Sequence, residues 1–336
     1  MTDTRGTVLV TGGAGYVGAV LVPKLLAAGY RVRVIDLFLF GDDVLPVDPA
    51  LETVKGDIRD QTVVSRMMRG VDAVIHLACI SNDPSFELNP SLSRTINYDC
   101  FEPLVDISRR SGVRRFIYAS TSSVYGVSDA PDVTEDHPLV PLTDYNKYKG
   151  MCEPILLRYQ TSDFTTVIIR PATVCGYSPR LRLDLTVNIL TNLAVNKRAI
   201  TIFGGSQKRP NIHIEDITDL YVDLLSMADE LVAGKIFNAA YQNRTVAELG
   251  EIVRSVVDRE MPELAPIAVE TSPSNDLRSY HVSSDKIKRE LGWTPERTLE
   301  DAVMDLCRAF RAGRIRDPLI DPRYYNVRTV QASGLV

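Results

Sequence analysis

The chain has 336 residues, of which 45% are hydrophobic and 24% are charged. This composition is ordinary for a globular protein, and the length allows about two domains. A formal net charge of −5 argues against nucleic-acid binding, which usually requires a basic face.

No apolar run approaches the roughly 20 residues needed to cross a bilayer. The start, "MTDTRGTVLV", lacks the apolar segment of a signal peptide. The five cysteines are odd in number, scattered and without CxxC spacing. We therefore expect a cytoplasmic protein with reduced thiols, no membrane contact and no metal site.

Short β-branched runs alternate with helical stretches in the first half of the chain. Apolar strands separated by helices predict a parallel sheet covered on both faces. The expected fold class is therefore α/β, with a Rossmann-like doubly wound sheet. The predicted strands lie at 7–12, 31–36, 51–57, 71–78, 114–121, 165–171 and 234–240.

A smaller, interleaved C-terminal lobe is expected because the pattern loosens from about residue 173 and a strand of the main sheet returns later. Further helices are predicted near 185–197 and at 245–258 and 283–293. The last 25 or so residues look extended and polar and have no assigned place. The predicted organisation is a Rossmann domain (1–172 plus about 212–242), a substrate lobe (173–211 and 243–312) and a tail (313–336).

The segment "VTGGAGYVG" places Gly12, Gly15 and Gly18 between a predicted strand and a predicted helix. Such a turn lets the backbone approach a pyrophosphate at a helix N-terminus. Asp36 ends the second strand, where a carboxylate can bind the adenosine ribose hydroxyls and repel a 2′-phosphate. NAD is thus favoured over NADP as cofactor; the alternative is a Rossmann-like turn without a nucleotide. Asp57 is either an adenine contact or an ordinary turn aspartate.

Two tyrosines and two lysines crowd the segment "TDYNKYKG" at 143–150. Positions i and i+4 of a helix share a face, which pairs Tyr145 with Lys149. A phenol needs a pKa shift of about three units, worth about 4 kcal/mol, to act as a base near neutral pH. An ammonium about 4 Å away at an effective dielectric near 20 supplies about that much. The alternative is an exposed helical pair with no chemistry.

These motifs occur in an order that resembles the extended short-chain dehydrogenase/reductase superfamily, specifically the NAD-dependent nucleotide-sugar epimerases and dehydratases. The resemblance covers about residues 7–310. Its further motifs are "HLA" (76–78), "STSSVYG" (120–126), "IRPATVCG" (169–176), "RPNIHIEDI" (209–217) and "LGW" (291–293).

The resemblance implies roles for individual residues. Tyr145 would be the catalytic base, Lys149 its electrostatic partner and nicotinamide-ribose ligand, and Thr121 the hydroxyl that contacts the sugar. The implied cofactor contacts also include Tyr16, Val17, Ile58, Leu77, Ala78, Asn97 and Pro171.

Two serines, Ser122 and Ser123, follow Thr121. Dehydratases of the family carry an Asp-Glu pair here, and decarboxylases tend to carry a glutamate at the second position. Serines cannot supply that acid–base chemistry, so both reactions are disfavoured, and the two side chains are predicted to contact substrate.

The substrate is expected to be a nucleotide-diphosphate sugar. The resemblance implies that Asn188, Arg209 and Arg278 hold its nucleotide diphosphate, since an arginine fork suits a pyrophosphate. Arg180 and Arg182 are weaker candidates, with helix-cap or surface roles as the alternative. Ser81 and Asn82 would border the sugar, or merely cap their loop.

The predicted function is an NAD-dependent nucleotide-sugar epimerase with a transient 4-keto intermediate and internal return of the hydride. The alternatives are a 4-ketoreductase or dehydrogenase, a dehydratase, or a non-catalytic NAD-binding protein. The resemblance also implies a homodimer built on helices at about 91–110 and 144–160, which Pro103 and Pro154 can bend.

Overall fold

The computed structural model describes residues 5–128, 130–273 and 279–334. The strands are β1 (Thr7–Thr11), β2 (Arg31–Asp36), β3 (Leu51–Lys55), β4 (Ala73–His76), β5 (Arg115–Ala119), β6 (Thr165–Pro171), β7 (Thr173–Cys175), β8 (Ala199–Phe203), β9 (Lys208–His213), β10 (Lys235–Ala239), β11 (Gln242–Thr245) and β12 (Ala268–Ser272). The α-helices are α1 (Gly18–Ala27), α2 (Gln61–Met67), α3 (Asp83–Glu87), α4 (Pro90–Arg94), α5 (Phe101–Arg110), α6 (Asp144–Arg158), α7 (Thr186–Lys197), α8 (Ile214–Asp223), α9 (Asp229–Val232), α10 (Val246–Glu260), α11 (Asp285–Leu291), α12 (Leu299–Arg311) and α13 (Asn326–Ala332).

Seven parallel strands form the main sheet in the order β3-β2-β1-β4-β5-β6-β10. The chain order reverses between β1 and β4, which is where doubly wound sheets open a crevice for ligands. The predicted fold class is confirmed. The late strand β10 pairs with β6, so the chain does return to the main sheet from the second lobe.

Alternating side chains of the strands feed two hydrophobic cores. Val8 and Val10 of β1 pack in the core that also holds α1 and α8, whereas Leu9 packs in the core shared with α2, α5 and α6. This is the period-two alternation of a strand that is buried on both faces. Burial of each large aliphatic side chain stabilises the fold by about 1.5–3 kcal/mol. Within the described ranges, no helix combines the length and apolar character that a membrane crossing needs.

A third core lies in the second lobe, where α7, α10 and α12 pack together through Leu190, Val253 and Val303. The parallel pair β8 and β12 and the small sheet β11-β9-β7 belong to this part of the chain. This separate core supports the division into two interleaved domains that we propose.

The helix expected at about 91–110 is interrupted. Helix α4 ends at Arg94, residues Thr95–Asp99 are π-helical, and α5 begins at Phe101. Pro103 therefore lies in the first turn of α5, where a missing N–H removes no helical hydrogen bond. Pro154 is inside α6, which continues to Arg158.

The tail is not extended, contrary to expectation. Residues Pro322–Tyr324 form a 3₁₀ turn and α13 follows. The Leu183 N–H donates to the Tyr324 carbonyl at 2.9 Å, and Tyr324 and Tyr325 pack on a cluster that contains Tyr16 and Leu181. The sequence pattern missed this because the tail's apolar contacts are with distant parts of the chain.

A buried ion pair ties α6 to the sheet. Glu153 and Arg170 are 2% and 3% exposed, and the Arg170 guanidinium donates to both carboxylate oxygens at 2.9 and 2.6 Å. Ser120, which follows β5, donates to the same carboxylate at 2.6 Å, and Arg170 also donates to the Tyr125 hydroxyl at 2.7 Å. The end of β5, the helix α6 and the strand β6 are thus held in one arrangement.

Replacement of Glu153 by Gln should reduce the free energy of unfolding by about 3 kcal/mol or more, because it leaves the buried guanidinium without a counter-charge. Urea denaturation measures this change. The control is Asp106→Asn, which removes the partly exposed Asp106–Arg110 pair of α5 and should cost less than about 0.5 kcal/mol. Equal costs for the two variants would contradict this role of Glu153.

Candidate active site

A cavity of about 500 Å³ opens at the carboxyl ends of β1, β2, β4, β5 and β6. Its walls combine the loops after these strands with the first turns of α6, the segment 180–186 and two residues of α13. The cavity therefore lies at the sheet's switch point, between the main sheet and the second lobe.

The glycine turn after β1 forms one wall. Gly12 has a φ of 73°, and a Cβ there would lie 2.6 Å from the Ala78 backbone nitrogen. A Cβ at Gly18 would lie 2.4 Å from the Gly13 carbonyl oxygen. Larger residues would therefore push the turn away from β4 and open the helix start. The geometry of this turn fits a pyrophosphate at the N-terminus of α1.

The carboxylate of Asp36 lies at the end of β2 on the cavity wall. It accepts hydrogen bonds from the N–H groups of Ala14 at 2.9 Å and Phe38 at 2.8 Å. Burial raises its pKa, and these bonds oppose that effect. The glycine cradle and this oriented carboxylate together fit a dinucleotide without a 2′-phosphate.

Of the two tyrosines on helix α6, Tyr145 lines the cavity and Tyr148 does not. Tyr145 and Lys149 both line the cavity, whereas the Tyr148 ring packs against the rings of Phe86 and Tyr98, with centroids 5.7 and 5.4 Å apart. Thr143 caps the helix by accepting the Asn146 N–H at 3.3 Å. One helix face therefore presents the pair that the sequence spacing selects.

The Lys149 ammonium is held from two sides. It donates to the Ala119 carbonyl at the end of β5 and lies 4.4 Å from the centroid of the Tyr118 ring. Next along the chain, the Thr121 hydroxyl oxygen accepts the Ser123 N–H at 3.1 Å, which leaves its own proton available for a ligand oxygen. Ser123 in turn shares a 3.1 Å hydrogen bond with the Tyr280 hydroxyl.

The protein environment alone does not make Tyr145 acidic. Burial raises the pKa of its phenol well above the usual range, and Cys79 raises it further, whereas the Arg182 guanidinium lowers it. Arg182 is buried and donates to Asp184 at 2.9 and 3.2 Å. A cation contributed by the second lobe thus acts on the phenol, a partner that the helix spacing does not reveal.

Most predicted site residues share the cavity wall. They are Gly12, Gly15, Tyr16, Val17, Gly18, Asp36, Asp57, Ile58, Leu77, Ala78, Ser81, Asn82, Thr121, Ser123, Tyr145, Lys149, Pro171 and Arg209. Asp57 is also paired with Arg59 at 2.6 Å, so both interpretations of this aspartate are compatible with its place.

Three predicted residues lie off the cavity wall. The Asn97 side chain accepts a hydrogen bond from the Ile80 N–H at 2.8 Å and donates one to the Ile80 carbonyl at 2.9 Å. Asn188 accepts the Gly176 N–H at 3.0 Å and donates to the Arg182 carbonyl at 2.8 Å. Ser122 is buried. The side chains of Asn97 and Asn188 thus bond to neighbouring backbone groups, and the ligand contacts expected of these two residues and of Ser122 stay predictions. Arg278 lies outside the described residues.

Other wall residues were missed or ranked low. Arg180, Arg182 and Asp184 come from the arginine-rich segment, whose charges were a weak signal. Tyr280 and Asn326 also line the cavity, but they are far along the chain and carry no motif that could have identified them.

All five cysteines are free thiols, and among the described residues no cluster is arranged to hold a metal ion.

The model of the NAD dependent epimerase/dehydratase family matches residues 8–240. The chain belongs to this family. It is 30% identical to the UDP-glucose 4-epimerase of Corynebacterium glutamicum over 91% of this chain and 95% of that one.

Solved structures agree. The chain is 26% identical to DesIV, a dTDP-glucose 4,6-dehydratase from Streptomyces venezuelae solved with NAD, over 91% of this chain and 97% of that one, with a TM-score of 0.80. It is 25% identical to MoeE5, solved with UDP-glucuronic acid and NAD, over 92% and 100% of the chains, with a TM-score of 0.78. The predicted family, the NAD cofactor and the enzyme class are confirmed.

Replacement of Asp36 by Asn should weaken NAD binding and shift the NAD-to-NADP affinity ratio toward NADP by about tenfold or more, because a neutral amide no longer repels a 2′-phosphate. Dissociation constants for both nucleotides measure the ratio. Asp42→Asn, an exposed change in the following loop, is the control. An unchanged ratio in Asp36→Asn would remove this carboxylate from cofactor selection.

The pH profile tests the charge that acts on Tyr145. A base must be deprotonated, so kcat/KM should rise with pH on its acid limb. Arg182→Met removes a cation that lowers the phenol's pKa, so the acid limb of the kcat/KM profile should move to higher pH. Arg182→Lys keeps a cation, so the acid limb should move less. An acid limb at the same pH in Arg182→Met and the wild type would contradict the coupling of Arg182 to Tyr145.

Proposed function

We propose that the protein is an NAD-dependent nucleotide-sugar epimerase that oxidises the substrate's C4 hydroxyl transiently and then reduces the ketone on its other face. The observation that carries this proposal is the pairing of Tyr145 and Lys149 with Thr121 on one cavity wall, with serines instead of carboxylates directly after Thr121. Tyr145 can serve as the base and Thr121 as the hydroxyl beside the cofactor site. The acid pair of a dehydratase is absent from the two positions after Thr121, which are serines.

NAD supplies the hydride acceptor and later donor. Tyr145 takes the proton of the C4 hydroxyl as the hydride leaves, and returns it when the ketone is reduced. The Thr121 hydroxyl, oriented by its bond with the Ser123 N–H, holds the reacting sugar oxygen. Lys149 is fixed by Ala119 and the Tyr118 ring. Its ammonium is therefore held in position to bind the nicotinamide ribose and to stabilise the phenolate of Tyr145.

The substrate is held by groups from both lobes. Ser81, Asn82 and Ser123 line the cavity beside Arg182, and we assign them to the sugar. Arg209 lies on the wall contributed by β9, and we assign it to the diphosphate, because a guanidinium can bind two phosphate oxygens at once.

A carboxylate for dehydration would have to come from elsewhere on the wall. Asp184 is neutralised by Arg182, Asp36 and Asp57 belong to the cofactor side, and Asp83 accepts a hydrogen bond from Thr143 at 2.6 Å. The epimerase proposal is therefore favoured over the dehydratase.

We also propose a homodimer that works in the cytoplasm. Met151 of α6 and the preceding Val140 and Leu142 are exposed apolar side chains, which a second subunit packed on α5 and α6 would cover. Five free thiols suit a reducing compartment.

Tyr145→Phe should lower kcat by about 100- to 10,000-fold, because the variant lacks the proton acceptor, and should still bind NAD. The measurement is turnover of UDP-, dTDP-, GDP- and CDP-sugars together with NAD content. Tyr148→Phe is the matched control on the same helix: its ring is packed away from the cavity, so its activity should stay near that of the wild type. Near-wild-type turnover by Tyr145→Phe would overturn the mechanism.

A substrate deuterated at C4 tests the return of the hydride. An epimerase should give the epimer with its deuterium retained at C4 and no net absorbance change at 340 nm. Conversion that is stoichiometric with NADH would indicate a ketoreductase or dehydrogenase. A new keto or alkene group in the product's NMR spectrum would indicate a dehydratase. Either result would contradict the epimerase.

A further inference from the structure

Arg180 is a buried guanidinium that the mechanism does not use. It is 3% exposed and lies on the wall of the same cavity as the glycine turn. Its guanidinium carbon is 3.5 Å from the centroid of the Phe40 ring, in the loop that follows β2. This stacking holds the plane of the guanidinium between the two lobes.

The hydrogen bonds of Arg180 are incomplete. Its Nη2 donates to the Asn326 side-chain oxygen at 2.5 Å, whereas Nε and Nη1 have no hydrogen-bond partner within the described residues. Unpaired buried donors are costly, and the cost is greater for a charged group. Both nitrogens are themselves buried, in a residue that lines the cavity. A guanidinium with two unpaired N–H groups beside a cavity is suited to an anion with several oxygens.

The surrounding charges locate this guanidinium along the cavity. Arg180 lowers the pKa of Asp36, which marks the adenosine-ribose end, and that of the Tyr16 phenol in the glycine turn. Burial and the neighbouring Arg182 lower the pKa of Arg180 itself to about 9, whereas Asp184, Asp36 and Tyr16 oppose that effect. Arg182, in turn, acts on Tyr145 at the catalytic end.

A dinucleotide that reaches from Asp36 to Tyr145 must place its pyrophosphate between these ends. We propose that Arg180 binds the pyrophosphate of NAD, in addition to the N–H groups of the glycine turn, and that Asn326 of α13 positions it. The inference rests on the cavity being the NAD site, and not on which sugar is epimerised. It makes the C-terminal helix part of the cofactor site.

Asn326 has the contacts that a positioning residue needs. Besides accepting from Arg180, it donates to the Ser81 hydroxyl at 2.8 Å and to the Ser81 carbonyl at 3.2 Å. Its own N–H donates to Asp184 at 3.1 Å. The side chain is therefore oriented from both lobes, with its oxygen directed at Arg180.

The test uses the 336-residue chain after exchange of its nucleotide, with calorimetric titration of NAD, ADP, adenosine and UDP. Arg180→Leu should weaken NAD and ADP about ten- to a hundredfold and leave adenosine, which has no phosphate, unchanged. Arg180→Lys, which keeps a charge but not the fork, should lose less. Asn326→Ala should weaken NAD and ADP in the same direction by a smaller factor.

Two surface variants are the controls: Arg289→Leu on α11 and Gln331→Ala on α13, both exposed. Wild-type NAD affinity in Arg180→Leu would overturn the proposal. A loss confined to UDP would also overturn it, because it would assign Arg180 to the sugar nucleotide. If the thermal melt shows that Arg180→Leu does not fold, the NAD and ADP affinities of Arg180→Lys and Asn326→Ala test the proposal instead. Tyr145→Phe should keep its NAD affinity, so failure of the catalytic proposal is distinguishable from failure of this one.

Discussion

The buried pair of Glu153 and Arg170 is the interaction on which the geometry of the site depends. Two charges removed from water are tolerated only when their hydrogen bonds are satisfied, and this bidentate geometry fixes how far α6 is rotated against β6. The Ser120 hydroxyl joins the end of β5 to the same carboxylate. The rotation of α6 decides that Tyr145 and Lys149 face the cavity, and the end of β5 places Thr121 beside them.

Burial acts on the chemistry in two opposing ways. It raises the pKa of the Tyr145 phenol, which by itself disfavours a phenolate. It also reduces screening, so that each nearby cation has a larger effect than it would have in water. Among the groups that act on the phenol, Arg182 of the second lobe lowers its pKa, whereas Cys79 and Asp83 raise it. No single i,i+4 pair accounts for this balance.

The strands and helices were largely predictable because each depends on a local pattern. The apolar run of β1, the turn at Gly12 and the face shared by Tyr145 and Lys149 all follow from periodicity and backbone sterics. For Asn97 and Asn188, the sequence indicates that a polar residue is needed and not which partner its side chain has. Their amides bind neighbouring backbone groups inside the protein.

The sequence alone determined the fold class, the cofactor and the shared helix face of Tyr145 and Lys149, since these depend on residue types at fixed short spacings. Only the tertiary structure decided that Arg182 is close enough to act on the phenol, that Tyr280 meets Ser123, and that Asn326 completes the wall. The Ser123–Tyr280 and Ser81–Asn326 contacts join residues more than 100 positions apart, and Tyr145 and Arg182 lie on different elements of the chain. No periodicity constrains the chain over such separations, and only packing brings these side chains together.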